Sequence, residues 1–339
     1  LMLVSIPVWS QNMLTKETNL MRDSDNITLQ PVAFSYPGNN GKSVVWDFSN
    51  VDVSNEDHNI NFSVDSLKHF HKIEDGEISS YVLCNNKLEQ YKIENRLLKM
   101  KFAPRLLTMK YPLNYGDSLS SSFDGYGRYC GNHVVRVSGQ VSLEIDGEGS
   151  LILSKKDTLN NVLRVYTLTT KAMAVDFDYA VIDSTKLKQE IEEKYEWYAR
   201  GYRYPVYTII QRTSFSNLQP VGTTRYAYRL LPENYAVPHD APNDSILSRD
   251  SLQSVLANAR NDNFFHYHVM LDNSFVNVDY ISDRDVHITA LLSNSMGILY
   301  CRQNVTAKAG SQSAISFSSA GLPRGQYVVY LNVSGKIYS

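Results

Sequence analysis

The stretch STKLKQEIEEKYEWYARGYRYPV, residues 184–206, decides between a helical and a β fold. Lys, Gln and Glu are good helix formers, and Leu187, Ile191 and Tyr195 recur at helical spacing. A second pattern runs through the same residues. Lys186, Lys188, Glu190, Glu192, Lys194 and Glu196 alternate strictly with Leu187, Gln189, Ile191, Glu193, Tyr195 and Trp197. A period of two belongs to a strand, whose successive side chains point to opposite sides. The alternation predicts a strand with one charged, solvated face. Gly201 and Pro205 then mark a turn and the opening of the next strand.

The same theme extends outward. NVLRVYTLTTKAMAV (161–175), YPVYTIIQRTSF (204–215) and TRYAYRLL (224–231) alternate between apolar and polar residues. In VSLEIDGEGSLILS (141–154), Val141, Leu143 and Ile145 share one face, Asp146-Gly147-Glu148-Gly149 reads as the tight turn of a hairpin, and Leu151 and Leu153 return. The expected fold is all-β. A large antiparallel N-terminal region, built as a sandwich or as curved sheets, should cover residues 11–231, with a seam between two subdomains near 99–112. Residues 232–263 collect three prolines among many Asp, Asn and Ser residues. That composition reads as a linker holding at most one short helix, with Leu252, Val255, Leu256 and Ala259 on its stripe. Residues 264–339 return to alternation and are expected to form a small immunoglobulin-like β-sandwich.

Composition narrows the function. The chain has 339 residues, 43% of them apolar, and a formal net charge of -2. Lys and Arg are dispersed, so no basic stripe is available for phosphates and nucleic acid is not an expected partner. The opening LMLVSIPVWS (1–10), followed by Gln11-Asn12, reads as the remnant of a secretory signal whose positively charged front is missing, the alternative being a buried first strand. No other segment approaches the length of a transmembrane helix. Cys84, Cys130 and Cys301 allow one bridge at most and have no metal-knuckle spacing.

Chemistry-bearing patterns are few. There is no H-E-x-x-H, no G-x-S-x-G and no P-loop. Gly125-Tyr126-Gly127-Arg128-Tyr129-Cys130-Gly131 has the wrong spacing for a dinucleotide loop and reads as a glycine-rich turn. His69-x-His71 and His266-x-His268 each place two imidazoles on one strand face, a metal-binding geometry if a third ligand converges. Asp176-x-Asp178 and Asp146-x-Glu148 are the carboxylate pairs that a glycosidase or a calcium site would need, and both are read beside turns. Two aromatic clusters stand out: Tyr111, Tyr115, Phe123, Tyr126 and Tyr129, then Tyr195, Trp197, Tyr198, Tyr202, Tyr204 and Tyr207. Rings of this kind stack on sugars or fill partner pockets, or they pack between sheets, which is the preferred reading. No catalytic, cofactor-binding or metal residue is assigned, and no cofactor is expected.

The segment from Asp285 to Tyr338 resembles the C-terminal sorting domain of type IX secretion substrates in Bacteroidetes. The resemblance rests on a strand from Val286 to Leu292, a turn at Asn294–Gly297, strands over Ile298–Arg302 and Ser313–Phe317, and Gly321-Leu322-Pro323-x-Gly325-x-Tyr327 leading into a long strand. Gly297 and Gly325 fall where turns need permissive backbone, and Tyr327, Val329, Leu331 and Val333 share one strand face. The family's basic final strand is absent after Ser339, which is read as a truncation of the domain at its C-terminus. PGNNGKSVVWDFSNVDV (37–53), YPLNYGDSLSSSFDGYG (111–127), IDGEGSLILSKKDTLNNVLRVYT (145–167) and YEWYARGYRYPVYTI (195–209) resemble segments of uncharacterised exported Bacteroidetes proteins with such domains. The resemblances imply an exported, secreted or cell-surface β protein, and with the signal remnant, the linker and the scarcity of catalytic motifs it is expected to be non-enzymatic. Its C-terminal module would engage the secretion machinery or a surface-attachment apparatus, and its larger part would bind a glycan or protein ligand. The alternative is a secreted hydrolase acting on glycan or peptide.

Overall fold

The computed structural model describes residues 12–154, 157–176, 188–216, 219–258, 264–272, 274–294, 298–323 and 325–338. The expectations for residues 1–10, 184–187, Asp178, 259–263 and Gly297 lie outside them. The chain divides into two compact units, Leu1–Ile246 and Leu247–Ser339.

The first unit opens with the short strand β1 (Met13–Leu14) and the single-turn helix α1 (Lys16–Asn19), whose Thr18 amide donates to the Thr15 hydroxyl. There follow β2 (Asn26–Pro31), β3 (Gly41–Asp47), β4 (His58–Val64), β5 (Phe70–Glu74), β6 (Glu77–Cys84), β7 (Lys87–Glu94) and β8 (Leu98–Lys110). Then come β9 (Leu113–Asn114), β10 (Ser118–Tyr129), β11 (His133–Ser154), β12 (Asp157–Asp176), β13 (Lys188–Ala199), β14 (Tyr207–Ser216) and β15 (Gln219–Leu230). Among the described residues, twelve of these pair antiparallel in the order β10-β8-β7-β6-β5-β4-β2-β15-β14-β13-β12-β11. The first and last also pair, from Ser118↔Glu144 to Tyr129↔His133. The curved sheet foreseen from the alternation is therefore closed into a barrel, which removes the free edges that an open sheet would expose.

Alternation fixes the two sides of the wall. On β10 and β11 the inward residues Phe123, Val137, Val141, Leu143 and Ile145 are buried. The outward row, Ser120, Ser122, Asp124, Arg136, Ser138, Gln140, Ser142 and Glu144, is exposed. This row is the opposite of the apolar outward band of a lipid-facing barrel.

β13 is a strand, as its alternation predicts, but its charged row does not face bulk solvent. Thr167↔Lys194 and Val165↔Glu196 continue the inward row of Leu143 and Ile145, so the charges point into the barrel. The cause lies on the other face. Trp197 is fully buried there beneath Trp46 and Phe48, at ring-centroid distances of 6.0 and 5.2 Å, and Phe48 stacks on Tyr207 at 4.3 Å. β3 carries Trp46 to this position by pairing parallel to β11 outside the closed barrel.

That parallel pairing also explains why Asp146-Gly147-Glu148-Gly149 is not a turn. β11 continues through it to Ser154 with irregular register. Asp146 is held by Arg164 through two hydrogen bonds of 2.8 Å. A Cβ at Gly149 would lie 1.8 Å from the Val44 carbonyl oxygen, so only glycine lets β3 approach. Gly125 and Gly127 likewise lie within β10, and the positive φ angles expected of a turn fall at Cys130 (49°) and Gly131 (76°). At Gly127 a Cβ would meet the Lys99 carbonyl oxygen at 1.9 Å, where β8 presses close.

Residues 99–112 form no seam: β8 spans most of them as an ordinary stave between β7 and β10. The stretch 232–263 begins with a 3-10 turn, Pro232–Asn234, and contains the helix α2 (Ala241–Asn258). Tyr235 and Val237 are buried in the barrel unit's core, so its first part is structural rather than a linker. Pro232 and Pro242 sit at the openings of helical turns, where the missing N–H costs no hydrogen bond.

The second unit contains β16 (Phe265–Asp272), β17 (Phe275–Ser282), β18 (Val286–Asn294), β19 (Leu299–Ala307), β20 (Gln312–Ser318), β21 (Tyr327–Val333) and β22 (Lys336–Tyr338). They form two small sheets, β16-β17-β20 and β19-β18-β21-β22. One buried cluster draws Phe265, Val278 and Phe317 from the first and Ile288, Leu292, Leu331 and Val333 from the second. Tyr327 and Val329 pack against it. In the approach to β21 the left-handed residue is Gly321 (φ 83°) rather than Gly325.

Candidate functional site: the barrel lumen

One end of the barrel is sealed. Leu14 and Leu113, on the paired strands β1 and β9, and Tyr111 cluster with the inward residues Leu143, Ile145, Val165 and Tyr198, with Leu20 and Met21 against them. The seal is tied down by Arg203, which follows β13. Its guanidinium donates to the Leu20 oxygen (2.6 Å), the Glu17 oxygen (2.8 Å) and both carboxylate oxygens of Asp240 (2.6 and 2.8 Å). Asn243 bridges the Thr18 oxygen and Asp240, and Tyr204 donates to Asp25 at 2.8 Å. Every charge in this clamp is paired, the condition under which a buried ion is tolerated.

Inside the seal lies a cavity of about 200 Å³. Ile27, Leu29, Ile60 and Phe62, from β2 and β4, give it an apolar side. The rest is polar. On β5, Lys72 pairs with Glu74, which also takes the His58 Nε2 at 2.5 Å. The His58 ring stacks on Tyr228 at 5.4 Å. On β13, Lys194 pairs with Glu196 at 2.8 Å. Lys72, Glu74, Lys194 and Glu196 all line the one cavity. Further along the inward rows of β12, β13 and β14, Lys171 meets Glu190 at 2.7 Å and Arg212 meets Glu192 at 2.5 Å.

The ionised forms are the stable ones. Burial pushes the Glu74 carboxyl up, but Lys72 and then His58 outweigh it and hold it below the usual carboxylate range. Burial pulls the Lys194 ammonium down, and Glu196 more than offsets it, leaving the group above its ordinary value. Tyr198 is pushed well up by burial and then by Glu196, and Tyr228 up by burial and then by Glu74, so both keep their hydroxyl protons. The lumen thus offers fixed acceptors (Glu74, Glu196), fixed donors (Lys72, Lys194) and hydroxyls that do either. An ionised, paired Glu74 is a hydrogen-bonding group and not a proton donor.

The histidine and carboxylate pairs singled out in the sequence lie elsewhere, whereas Tyr111, Tyr198 and Tyr204 of the aromatic clusters line the cavity. His69 Nδ1 is 3.0 Å from Asp65 and His71 Nδ1 is 3.0 Å from Ser80, while His266 and His268 lie on β16 of the other unit. Among the described residues no group of three or more His, Cys, Asp or Glu is arranged to hold a metal ion. Cys84, Cys130 and Cys301 are not bridged. Asp146 is committed to Arg164 and lies near the sealed end, whereas Asp176 pairs with Val134 at the other end of β11. The eleven positions from Val134 to Ile145 separate them by about 35 Å along the strand. Of the rings, Phe123 and Tyr198 face inward, Tyr195, Trp197 and Tyr207 belong to the outer layer, and Tyr204 belongs to the seal. Lys72, Glu74, Tyr81 and Tyr228 were not singled out, and Lys194 and Glu196 were read as part of a solvated face, although the Lys-x-Glu spacing at 72–74 and 194–196 puts each pair on one strand face. The chain matches no protein-family model and no curated protein.

A carboxylate whose folded pKa is depressed adds stability above its unfolded value, here 4.5, and loses it as pH falls through the folded value. Glu74→Gln should therefore lower Tm at pH 7 by about 2–4 °C, the shift expected from about 1 kcal/mol in a unit of this size. The gap between wild type and variant should narrow as pH falls from 4.5 to 3. Thermal melts followed by circular dichroism at both ends check this, and a gap independent of pH would contradict the assignment.

Proposed function

We propose that this chain is a secreted or cell-surface β protein without enzymatic activity, whose barrel holds a small polar ligand in its lumen. The observation that carries the reading is the inward charged row of β13, with Lys194 and Glu196 lining one cavity together with Lys72 and Glu74. Burying charges in a core is unfavourable relative to packing it with apolar side chains. A sequence that spends strand positions on paired ions and hydroxyls around an unfilled cavity is organised for a polar occupant. The alternative, a hydrolase acting on glycan or peptide, has less support. Asp146 of the pair Asp146–Glu148 is committed to Arg164 by two hydrogen bonds and stands about 35 Å along the strand from Asp176 of the other pair, whose Asp178 lies outside the described residues.

The second unit is proposed to be an immunoglobulin-like sandwich, its two sheets facing each other across the shared cluster of Phe265, Ile288, Phe317 and Leu331. With its resemblance to the type IX sorting domain and the apolar opening at residues 1–10, this supports an extracellular or outer-surface location. The C-terminal module would then meet the secretion or attachment apparatus.

Native mass spectrometry of the full chain, incubated with a small-metabolite library, tests the ligand reading. Wild type should retain a one-to-one complex that Thr208→Trp, which fills the lumen, loses; equal retention by both would contradict it. For the module, a reporter fused to residues 264–339 completed with the family's basic final strand should reach the surface of a type IX-competent bacterium. Retention of that reporter in the periplasm would remove the sorting claim.

A further inference from the structure

The lining of the lumen narrows the chemistry of its occupant. Its charges close in pairs: Lys72 with Glu74, Lys194 with Glu196, and Arg203 with Asp240. A ligand with net charge would bring an unbalanced ion into a confined site, which is unfavourable without a partner. An alkyl chain would fit the apolar side but would desolvate the ion pairs and hydroxyls without pairing them.

The hydroxyls point the other way. Those of Tyr81, Tyr198 and Tyr228, all lining the cavity, make no hydrogen bond to any described residue. Tyr198 is only 8% exposed as a residue, and it lines the cavity. Each hydroxyl donates and accepts, as does an alcohol on a ligand, and the carboxylates and ammonium groups beside them accept and donate in turn. In the same cavity Ile27, Leu29, Ile60 and Phe62, whose ring also stacks on Tyr204 at 4.6 Å, give an apolar side suited to the C–H face of a ring. The volume of about 200 Å³ is below the range of about 300–1,000 Å³ for drug-sized ligands.

We infer that the lumen binds a neutral, hydroxyl-rich molecule of about one sugar ring, its polar edge on the Tyr hydroxyls and Lys–Glu pairs and its apolar face toward Phe62. This rests on the reading of the lumen as a ligand site and adds the class of ligand.

Saturation-transfer NMR and calorimetry on the full chain test it, with D-galactose and N-acetylglucosamine as sugars, glycine betaine as zwitterion and decanoate as apolar anion. At least one sugar should bind wild type, and Thr208→Trp should weaken it at least tenfold. Tyr198→Phe, which removes one unpartnered oxygen and keeps the ring, should weaken it severalfold while the circular dichroism spectrum stays that of wild type. Sugar affinity unchanged in both variants overturns the inference. Binding of betaine or decanoate that is lost in Thr208→Trp, with no sugar bound, overturns the sugar class and leaves the lumen as a site. If no probe binds, or none is sensitive to Thr208→Trp, the sugar inference falls, and in the second case the lumen reading falls with it.

Discussion

The orientation of β13 depends on Arg164. This side chain is 2% exposed, grips Asp146 through two hydrogen bonds and donates to the backbone oxygens of Pro37 and Gly38. Its guanidinium lies 5.3–5.8 Å from the ring centres of Trp46, Tyr195 and Trp197. Cation–π contact of a desolvated arginine adds to the ion pair, and breaking a buried pair of this kind costs about 3–5 kcal/mol. The arginine thereby fastens the segment before β3 onto the outer wall and makes that wall the place where the rings of β13 are buried. With a period of two there is one other direction for the charged residues, which is inward.

Arg203 plays the corresponding part at the sealed end. It joins the N-terminal turn, the exit of β13 and the residues preceding α2 through Leu20, Glu17 and Asp240. These segments are far apart in sequence, so the seal forms only when strands distant along the chain are already paired. Two arginines, one on the outer wall and one at the base, leave the space between as a bounded cavity with charged and hydroxyl-bearing walls. A barrel filled with apolar side chains would need neither device.

How much of this was legible follows from the range over which each signal acts. Strand character is local, so β12, β13, β14 and β15 could be read from alternation, including through the Lys- and Glu-rich stretch that favours helix by propensity. Closure is not local: it needs β15 to meet β2, some 200 residues away, from Tyr228↔Pro31 to Leu230↔Leu29, and that meeting is set by the twist and length of the whole sheet. The side on which alternating charges fall is equally non-local, because it depends on Trp46 arriving from some 150 residues away to bury Trp197. Asp146-Gly147-Glu148-Gly149 has the composition of a tight turn, yet its glycines serve the approach of β3 and its aspartate serves Arg164. Asp240 has the same character: its neighbours Pro238 and Pro242 suggest a linker, while its carboxylate belongs to the base of the barrel. Local chemistry thus announced the elements, and long-range contacts assigned their faces.

The central claim is that the charged row of β13 lies inside a closed barrel. Its most direct test is thiol accessibility in a background where Cys84, Cys130 and Cys301 are serine, with a single cysteine placed at Gln189 on the outer row or at Glu196 on the inner row. A bulky polymer-linked maleimide should modify the Gln189→Cys protein readily and the Glu196→Cys protein only after denaturation. Equal modification of both positions in the folded chain would contradict the account.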